Sequence, residues 1–211
     1  MLKIKPNLST LYISPLEQCN LSCKMCYTCK TRDKLSHQQI IDFVQRFRQQ
    51  YPLEMITFCG GEVFLLDWFT DSVNHLIQQG LVVEIITNGT IDKLEKINQP
   101  NLVNLIISLD GLEKDHDLNR GQGQFQKSWN FLKRAKKLGF HFEIFTVIST
   151  HNLNQLKDFE DWLISQLGEL PEITYHPRKP PSYLSQHPVS NQFGEVDNCG
   201  FLTESQLDQL S

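Results

Sequence analysis

Four of the six cysteines in this 211-residue chain lie within the stretch CNLSCKMCYTC, residues 19–29. Cys19, Cys23 and Cys26 have the spacing C-x3-C-x2-C, compact enough for one loop to surround a single metal centre. Three thiolates would bind three irons of a 4Fe–4S cluster and leave the fourth iron open for chemistry. A zinc site that adds Cys29 is the alternative, although zinc sites of this type usually take two ligand pairs from separated turns.

Two further motifs carry residues suited to a charged ligand. The stretch GGE (residues 60–62) has two glycines, which let a ligand approach the backbone, and Glu62, whose carboxylate suits an ammonium group. Arg120 provides the forked guanidinium that binds a carboxylate. A ligand that carries both an ammonium and a carboxylate group is an amino acid.

Strand and helix patterns alternate along the chain and must position these residues. Apolar segments rich in β-forming residues predict six strands, within residues 9–16, 54–62, 81–89, 102–111, 140–150 and 172–177. Helical periodicity predicts five intervening helices, within residues 36–51, 65–80, 91–98, 125–139 and 154–168. Residues 112–123 and the Pro- and Ser-rich segment 178–200 are predicted to be loops, and residues 202–211 a helix of about two turns.

Repeated strand-helix units predict a parallel sheet with helices outside it, because parallel strands need crossover connections. A complete eight-unit barrel needs about 250 residues. The predicted fold class is therefore α/β, a partial (β/α)6 barrel with parallel strands that is open on one side. The cysteine loop, GGE, TNG (residues 87–89) and SLDG (108–111) follow the first four strands, so all four should meet at the carboxyl edge of the sheet.

The ordered set of motifs resembles the core of radical S-adenosylmethionine (radical SAM) enzymes over roughly residues 9–176. The resemblance rests on the C-x3-C-x2-C loop, on GGE, and on SLDG followed by HDLNRG (116–121). The resemblance implies a 4Fe–4S cluster on Cys19, Cys23 and Cys26, with SAM on the fourth iron. It also implies SAM contacts from the following residues: Gly60, Gly61 and Glu62 near the methionyl amine, Ser108 and Arg120 beside the carboxylate and ribose, and Asn88 and Asp110.

Two positions depart from the usual family pattern. Met25 stands where an aromatic residue commonly lies along adenine, and its polarizable thioether can pack on that ring. Val63 stands where proline often follows GGE. The resemblance thus implies that adenine binding survives and that the loop after Glu62 is less rigid.

The implied activity is reductive cleavage of SAM to a 5′-deoxyadenosyl radical, which abstracts hydrogen from a peptide, protein or small molecule. A reductase or a flavodoxin- or ferredoxin-type protein would supply the electron. The motifs most resemble the peptide- and protein-modifying subgroup, whose members commonly continue into a cysteine-rich C-terminal domain that is missing here. A non-enzymatic metal-binding module, or a degenerate member that acts as a scaffold or regulator, is the alternative.

The composition of the chain limits which binding partners and which cellular compartment we expect. The net charge of -4 and the pI near 6.0 argue against binding to nucleic acid. No apolar run has the length of a signal peptide or membrane span, so we expect a cytoplasmic protein with no membrane partner. Residues 1–176 are predicted to form the core domain, and residues 177–211 a C-terminal loop and short helix.

Overall fold

The computed structural model describes residues 8–26, 30–178 and 200–207. Its six strands form one sheet in which each strand pairs in parallel with its neighbour in the sequence. The strands are β1 (Thr10–Ile13), β2 (Met55–Phe58), β3 (Val82–Thr87), β4 (Val103–Ser108), β5 (His141–Ile148) and β6 (Ile173–Pro177). The sheet is an open half-barrel, which confirms the predicted α/β class and partial (β/α)6 barrel.

The α-helices are α1 (His37–Arg48), α2 (Phe69–Gln78), α3 (Glu113–Arg120), α4 (Gln124–Leu138), α5 (Leu156–Leu167) and α6 (Glu204–Leu207). Helix α1 begins at a reciprocal cap, in which Ser36 Oγ accepts from the backbone of Gln39 and the Gln39 side chain accepts from the backbone of Ser36. Helix α4 ends at Gly139, whose φ of 81° is the left-handed conformation that glycine adopts easily.

The two faces of the sheet differ in chemistry. Alternate strand residues on the outer face pack with helix residues into one hydrophobic core; they include Ile56, Phe58, Val83, Ile85, Leu105, Ile107 and Ile144. On the concave face, Thr57 and Asn104 donate hydrogen bonds to Glu84, and Asn104 and Thr174 donate to Glu143. The helices therefore close the outer face, and the concave face is polar.

The predicted loop at residues 112–123 is wrong, because residues 113–120 form α3. The buried residues of α3 are His116, Asp117 and Arg120, so its inner face is polar and leaves no apolar periodicity in the sequence. The short helix expected at 91–98 is present only as a 3-10 turn at Leu94–Lys96, and a second 3-10 turn follows at Pro100–Leu102. The helix expected from residue 65 begins at Phe69, after a 3-10 turn at Val63–Leu65.

Most of the predicted C-terminal loop, residues 179–199, lies outside the described residues, as do residues 208–211 of the predicted final helix. The described part of that helix, α6, is one turn long. No helix in the described ranges has the length and apolar character needed to cross a membrane.

Candidate metal and cofactor site

The cysteine loop leaves β1 and lies directly against the end of β2. The backbone N–H of Gly61 donates to the carbonyl of Leu16 at 2.9 Å, and that of Glu62 donates to Gln18 at 3.0 Å. A Cβ atom on Gly61 would overlap the Gln18 carbonyl, and one on Gly60 would overlap the Ser14 hydroxyl. The two glycines therefore let the cysteine loop pack onto the GGE backbone.

The three cysteines predicted to bind iron lie on one loop at the mouth of the half-barrel. The Cys26 N–H donates to the Cys23 carbonyl at 3.1 Å, and the Lys24 N–H ties the loop to Asn119 of α3 at 2.9 Å. Cys29 and Cys199 lie outside the described residues. The loop is thus fixed on one side by GGE and on the other by α3.

The three thiols are close enough to influence one another electrostatically. Burial raises the pKa of Cys23 to about 11; Arg120 opposes this effect, and Cys26 and Cys19 add to it. Burial also raises the pKa of Cys19, against a hydrogen bond from the Leu21 N–H. Metal ligation needs thiolates, so binding of a metal would have to release the protons of Cys19 and Cys23 against this effect of burial.

No three His, Cys, Asp or Glu side chains within residues 8–26, 30–178 and 200–207 converge on a position suited to a metal ion. A 4Fe–4S cluster makes a different demand, because each thiolate binds its own iron at a separate corner. Three thiols, which are soft ligands, lie on one loop, and Cys19 and Cys26 both act on the pKa of Cys23; this arrangement fits that demand.

Glu62 is wholly buried and connects the ends of β2 and β3. Its carboxylate accepts from the N–H of Phe64 (3.2 Å), the N–H of Asn88 (2.8 Å) and the hydroxyl of Thr87 (2.9 and 3.0 Å). Burial raises the pKa of Glu62 to about 7, and these three hydrogen bonds oppose the rise. The carboxylate is covered by protein, whereas Gly60 is exposed and Gly61 partly exposed, so the glycine backbone stays accessible to a ligand.

Asp110 and Arg120 form a buried, two-point ion pair at the mouth. Arg120 Nε and Nη2 donate to the two carboxylate oxygens of Asp110 at 2.7 and 2.9 Å. Burial alone would raise the pKa of Asp110, but Arg120 outweighs it and holds the pKa below its ordinary value. The guanidinium fork expected to face a ligand carboxylate is therefore engaged by Asp110, and the charge of Arg120 still acts on Cys23 and Cys19.

Three residues that the sequence did not assign to the site hold Asp110 in place. The Asp110 N–H donates to His116 Nδ1 (3.2 Å), its carbonyl accepts from Asn152 Nδ2 (2.6 Å), and its carboxylate accepts from Asn119 Nδ2 (2.6 Å). His116 is buried, and its Nε2 has no hydrogen-bond partner among the described residues. A signal existed for two of the three, since His116 and Asn119 belong to the HDLNRG motif.

Ser108 and Met25, both predicted to contact SAM, lie on the β4 end and in the cysteine loop. Ser108 is 7% exposed, and its hydroxyl makes no hydrogen bond with another described residue. Met25 is partly exposed in the turn between Cys23 and Cys26. Both roles remain predictions.

A cleft at the mouth lies between the cysteine loop, α3 and the ends of β5 and β6. It is lined by Lys24, Asp115, Leu118, Asn119, Val147, Ser149, His151, Asn152 and Arg178. Arg178 Nη2 donates to the Lys24 carbonyl at 3.3 Å, which joins the loop after β6 to the loop after β1. The Phe201 ring packs on the Arg178 guanidinium at 4.9 Å, so the C-terminal segment also reaches this cleft.

Comparison with known proteins identifies the family to which this chain belongs. The family model of the radical SAM superfamily matches residues 13–163. The sporulation killing factor maturation protein SkfB of Bacillus subtilis is 28% identical over 147 residues, which cover 66% of this chain and 36% of SkfB. An S-adenosylmethionine-dependent nucleotide dehydratase of Flammeovirga pacifica is 24% identical, over 92% of this chain and 75% of that protein.

Solved structures share the fold at low sequence identity. Native anSMEcpe with bound AdoMet matches with a TM-score of 0.72 and 21% identity, over 82% of this chain and 52% of that one. Streptococcus suis SuiB bound to S-adenosylmethionine matches with a TM-score of 0.71 and 16% identity, over 82% and 41%. This chain thus spans about a third of SkfB and about half or less of these two structures. Radical SAM proteins use a 4Fe–4S cluster and SAM, and this chain belongs to the radical SAM superfamily.

Proposed function

We propose that this chain reductively cleaves SAM at a 4Fe–4S cluster ligated by Cys19, Cys23 and Cys26. The bound cluster would supply the electron that breaks the C5′–S bond of the sulfonium, which releases methionine and a 5′-deoxyadenosyl radical for hydrogen abstraction. The observation that carries the proposal is that three thiols share one loop at the mouth, which hydrogen bonds hold to the GGE backbone on one side and to α3 on the other. A reductase or a flavodoxin- or ferredoxin-type protein would reduce the cluster.

The chain's own residues have distinct roles in this proposal. The buried charge of Arg120 offsets part of the negative charge that three thiolates bring to the mouth. In this proposal the Ser108 hydroxyl would contact the ribose, the backbone of Gly60 and Gly61 the methionyl group, and Met25 the adenine. Asp110 keeps Arg120 in place through the two-point contact.

The substrate is proposed to be a peptide, protein or small molecule with an acidic group. Relatives include a peptide-bound structure, SuiB with its precursor peptide SuiA, and a nucleotide dehydratase. The cleft beside the cysteine loop is lined by Lys24 and His151, and Asp115 is the acidic residue in its lining. Nucleotides and acidic peptides are therefore the first substrates to test.

Anaerobic reconstitution tests the activity. The expected result is about four irons per chain and formation of 5′-deoxyadenosine after reduction with SAM. Ala variants of Cys19, Cys23 or Cys26 should lose both properties, whereas Cys59→Ala, at the end of β2, is the matched control and should keep both. Retention of the cluster in Cys23→Ala together with its loss in Cys29→Ala would contradict the assignment.

The same experiment separates an enzyme from a metal-binding scaffold. Zinc binding without SAM cleavage would overturn the proposed activity.

For the substrate, Lys24→Ala should weaken turnover of an acidic substrate and leave substrate-free SAM cleavage unchanged, with Lys114→Ala on α3 as the control. Equal turnover by the two variants would remove the proposed role of the cleft.

A further inference from the structure

Asn88 contacts the buried Glu62 through its backbone and the sulfur of Cys19 through its side chain. Asn88 Nδ2 is 3.6 Å from Cys19 Sγ and 3.0 Å from Asn20 Oδ1. The Leu21 N–H approaches the same sulfur at 3.4 Å. Asn88 therefore contacts a proposed iron ligand, and the SAM contact that the sequence predicted for it stays a prediction.

The orientation of the Asn88 amide follows from its neighbours. Asn88 Oδ1 accepts from the backbone N–H of Thr90 at 2.9 Å and from the Thr90 hydroxyl at 2.6 Å. A backbone N–H can only donate, so the amide oxygen must face Thr90 and the NH2 group must face Cys19. The contact with the sulfur is thus an N–H donor aimed at an acceptor.

The backbone of Asn88 is fixed on both sides as well. Its N–H donates to Glu62 at 2.8 Å, and its carbonyl accepts from the Ser128 hydroxyl at 2.7 Å. The residue is 8% exposed. A donor held by partners at its backbone and at its amide oxygen is already in place before any ligand binds.

We propose that Asn88 is a positioning residue that donates a hydrogen bond to the Cys19 thiolate and thereby raises the reduction potential of the cluster. Hydrogen bonds to ligand sulfurs are among the determinants of that potential. Reduction adds negative charge to the cluster and its sulfurs, so the reduced state gains more from an N–H donor than the oxidised state. The inference rests on the proposed ligation by Cys19.

Two substitutions at Asn88 and one at Asn20 test the hydrogen bond. Asn88→Asp keeps the acceptor for Thr90, removes the donor to Cys19 and adds one negative charge. Asn20→Asp is the matched control, because it adds one negative charge beside the same sulfur and keeps an acceptor for Asn88. Asn88→Ala removes the donor without adding charge. Iron and sulfide content and the midpoint potential, followed by EPR of the reduced cluster in a mediated titration, are measured for each protein.

The expected result is a more negative midpoint potential in both Asn88 variants, with a smaller shift in Asn20→Asp than in Asn88→Asp. A wild-type potential in a cluster-loaded Asn88 variant, or equal shifts in the two Asp variants, would overturn the inference. If Asn88→Ala loses the cluster, the midpoint potential of Asn88→Asp decides whether the inference holds. If both Asn88 variants lose the cluster while Asn20→Asp keeps it, Asn88 serves only cluster assembly, and the proposed effect on the potential is refuted. Full cluster content in Cys19→Ala would instead overturn the ligation itself.

Discussion

Replacing Asp110 with Asn should be one of the most damaging changes at the mouth of the half-barrel. The two oxygens of Asp110 accept four donors: Arg120 Nε and Asn119 Nδ2 on one, Arg120 Nη2 and the Val147 N–H on the other. An Asn side chain keeps one oxygen and places an NH2 group where the other was. Two of the four donors then face the NH2 group, which cannot accept a hydrogen bond. The charge of Arg120 also loses its counter-ion, and the Arg120 side chain is only 7% exposed.

The expected loss of stability follows from these contacts. Each buried donor left without an acceptor costs about 1–3 kcal/mol, and breaking a buried ion pair by removing one partner costs about 3–5 kcal/mol in total. We therefore expect Asp110→Asn to lower the free energy of unfolding by about 3–5 kcal/mol. Arg120→Met should cost a similar amount, because it leaves the Asp110 carboxylate buried without its cation.

Urea denaturation of the metal-free full chain, followed by tryptophan fluorescence, measures both effects. The double variant carries neither buried charge, so its loss should fall short of the summed single losses by about 1 kcal/mol or more. Asp161→Asn, which breaks the exposed Lys157–Asp161 pair on α5, is the matched control and should leave the unfolding free energy unchanged within error. Additive single effects, or a loss below about 1 kcal/mol for Asp110→Asn, would refute the reasoning.

Three further outcomes are expected. Burial raises the pKa of Glu62 to about 7, so the stabilisation that protonated Glu62 gives the folded state is full below its ordinary pKa of 4.5 and is lost as pH rises through 7. The unfolding free energy of wild type relative to Glu62→Gln, measured in urea titrations, should therefore fall by about 3 kcal/mol over that range. A constant difference between the two proteins would contradict this. Gly61→Ala should lower the iron content after reconstitution because its Cβ overlaps the Gln18 carbonyl. Gly139→Ala is strained by its φ of 81° but has nothing near its Cβ and lies at the end of α4, so it should bind iron normally; equal iron content in the two variants would argue against the packing role. Asn152→Ala removes the donor to two main-chain carbonyls and should lower the free energy of unfolding by about 1–3 kcal/mol, measured against wild type in urea; no loss would mean that water replaces the amide.

The sequence predicted the sheet well because its strands are strongly apolar and separated by amphipathic helices. It failed at α3 because the buried face of that helix consists of His116, Asp117 and Arg120, which serve the site and the start of α4. A helix that buries charged groups has no apolar repeat. The groups that compensate for this burial are Asp110, just after β4, and the backbone at the start of α4.

The sequence also predicted which motifs meet at the mouth, because the carboxyl ends of parallel strands share one edge. It could not predict how the side chains pair there. Glu62 and Arg120 carry charges suited to an amino acid ligand, yet the first is bonded to Thr87 and Asn88 and the second to Asp110. Such pairings depend on side-chain directions at separate strand ends, which local spacing does not specify.

The contact between Arg178 and Lys24 also bears on how the molecule folds. Every strand pairs with the next one along the chain, so the sheet assembles from contacts between consecutive units. The Arg178 hydrogen bond instead joins residues 154 positions apart, and the entropy cost of closing a chain segment grows with its length. We therefore expect this contact, with Phe201 packed against it, to form late, after the six strands are in place. Formation of the contact would then mark the completed half-barrel, and its rupture would be an early step of unfolding.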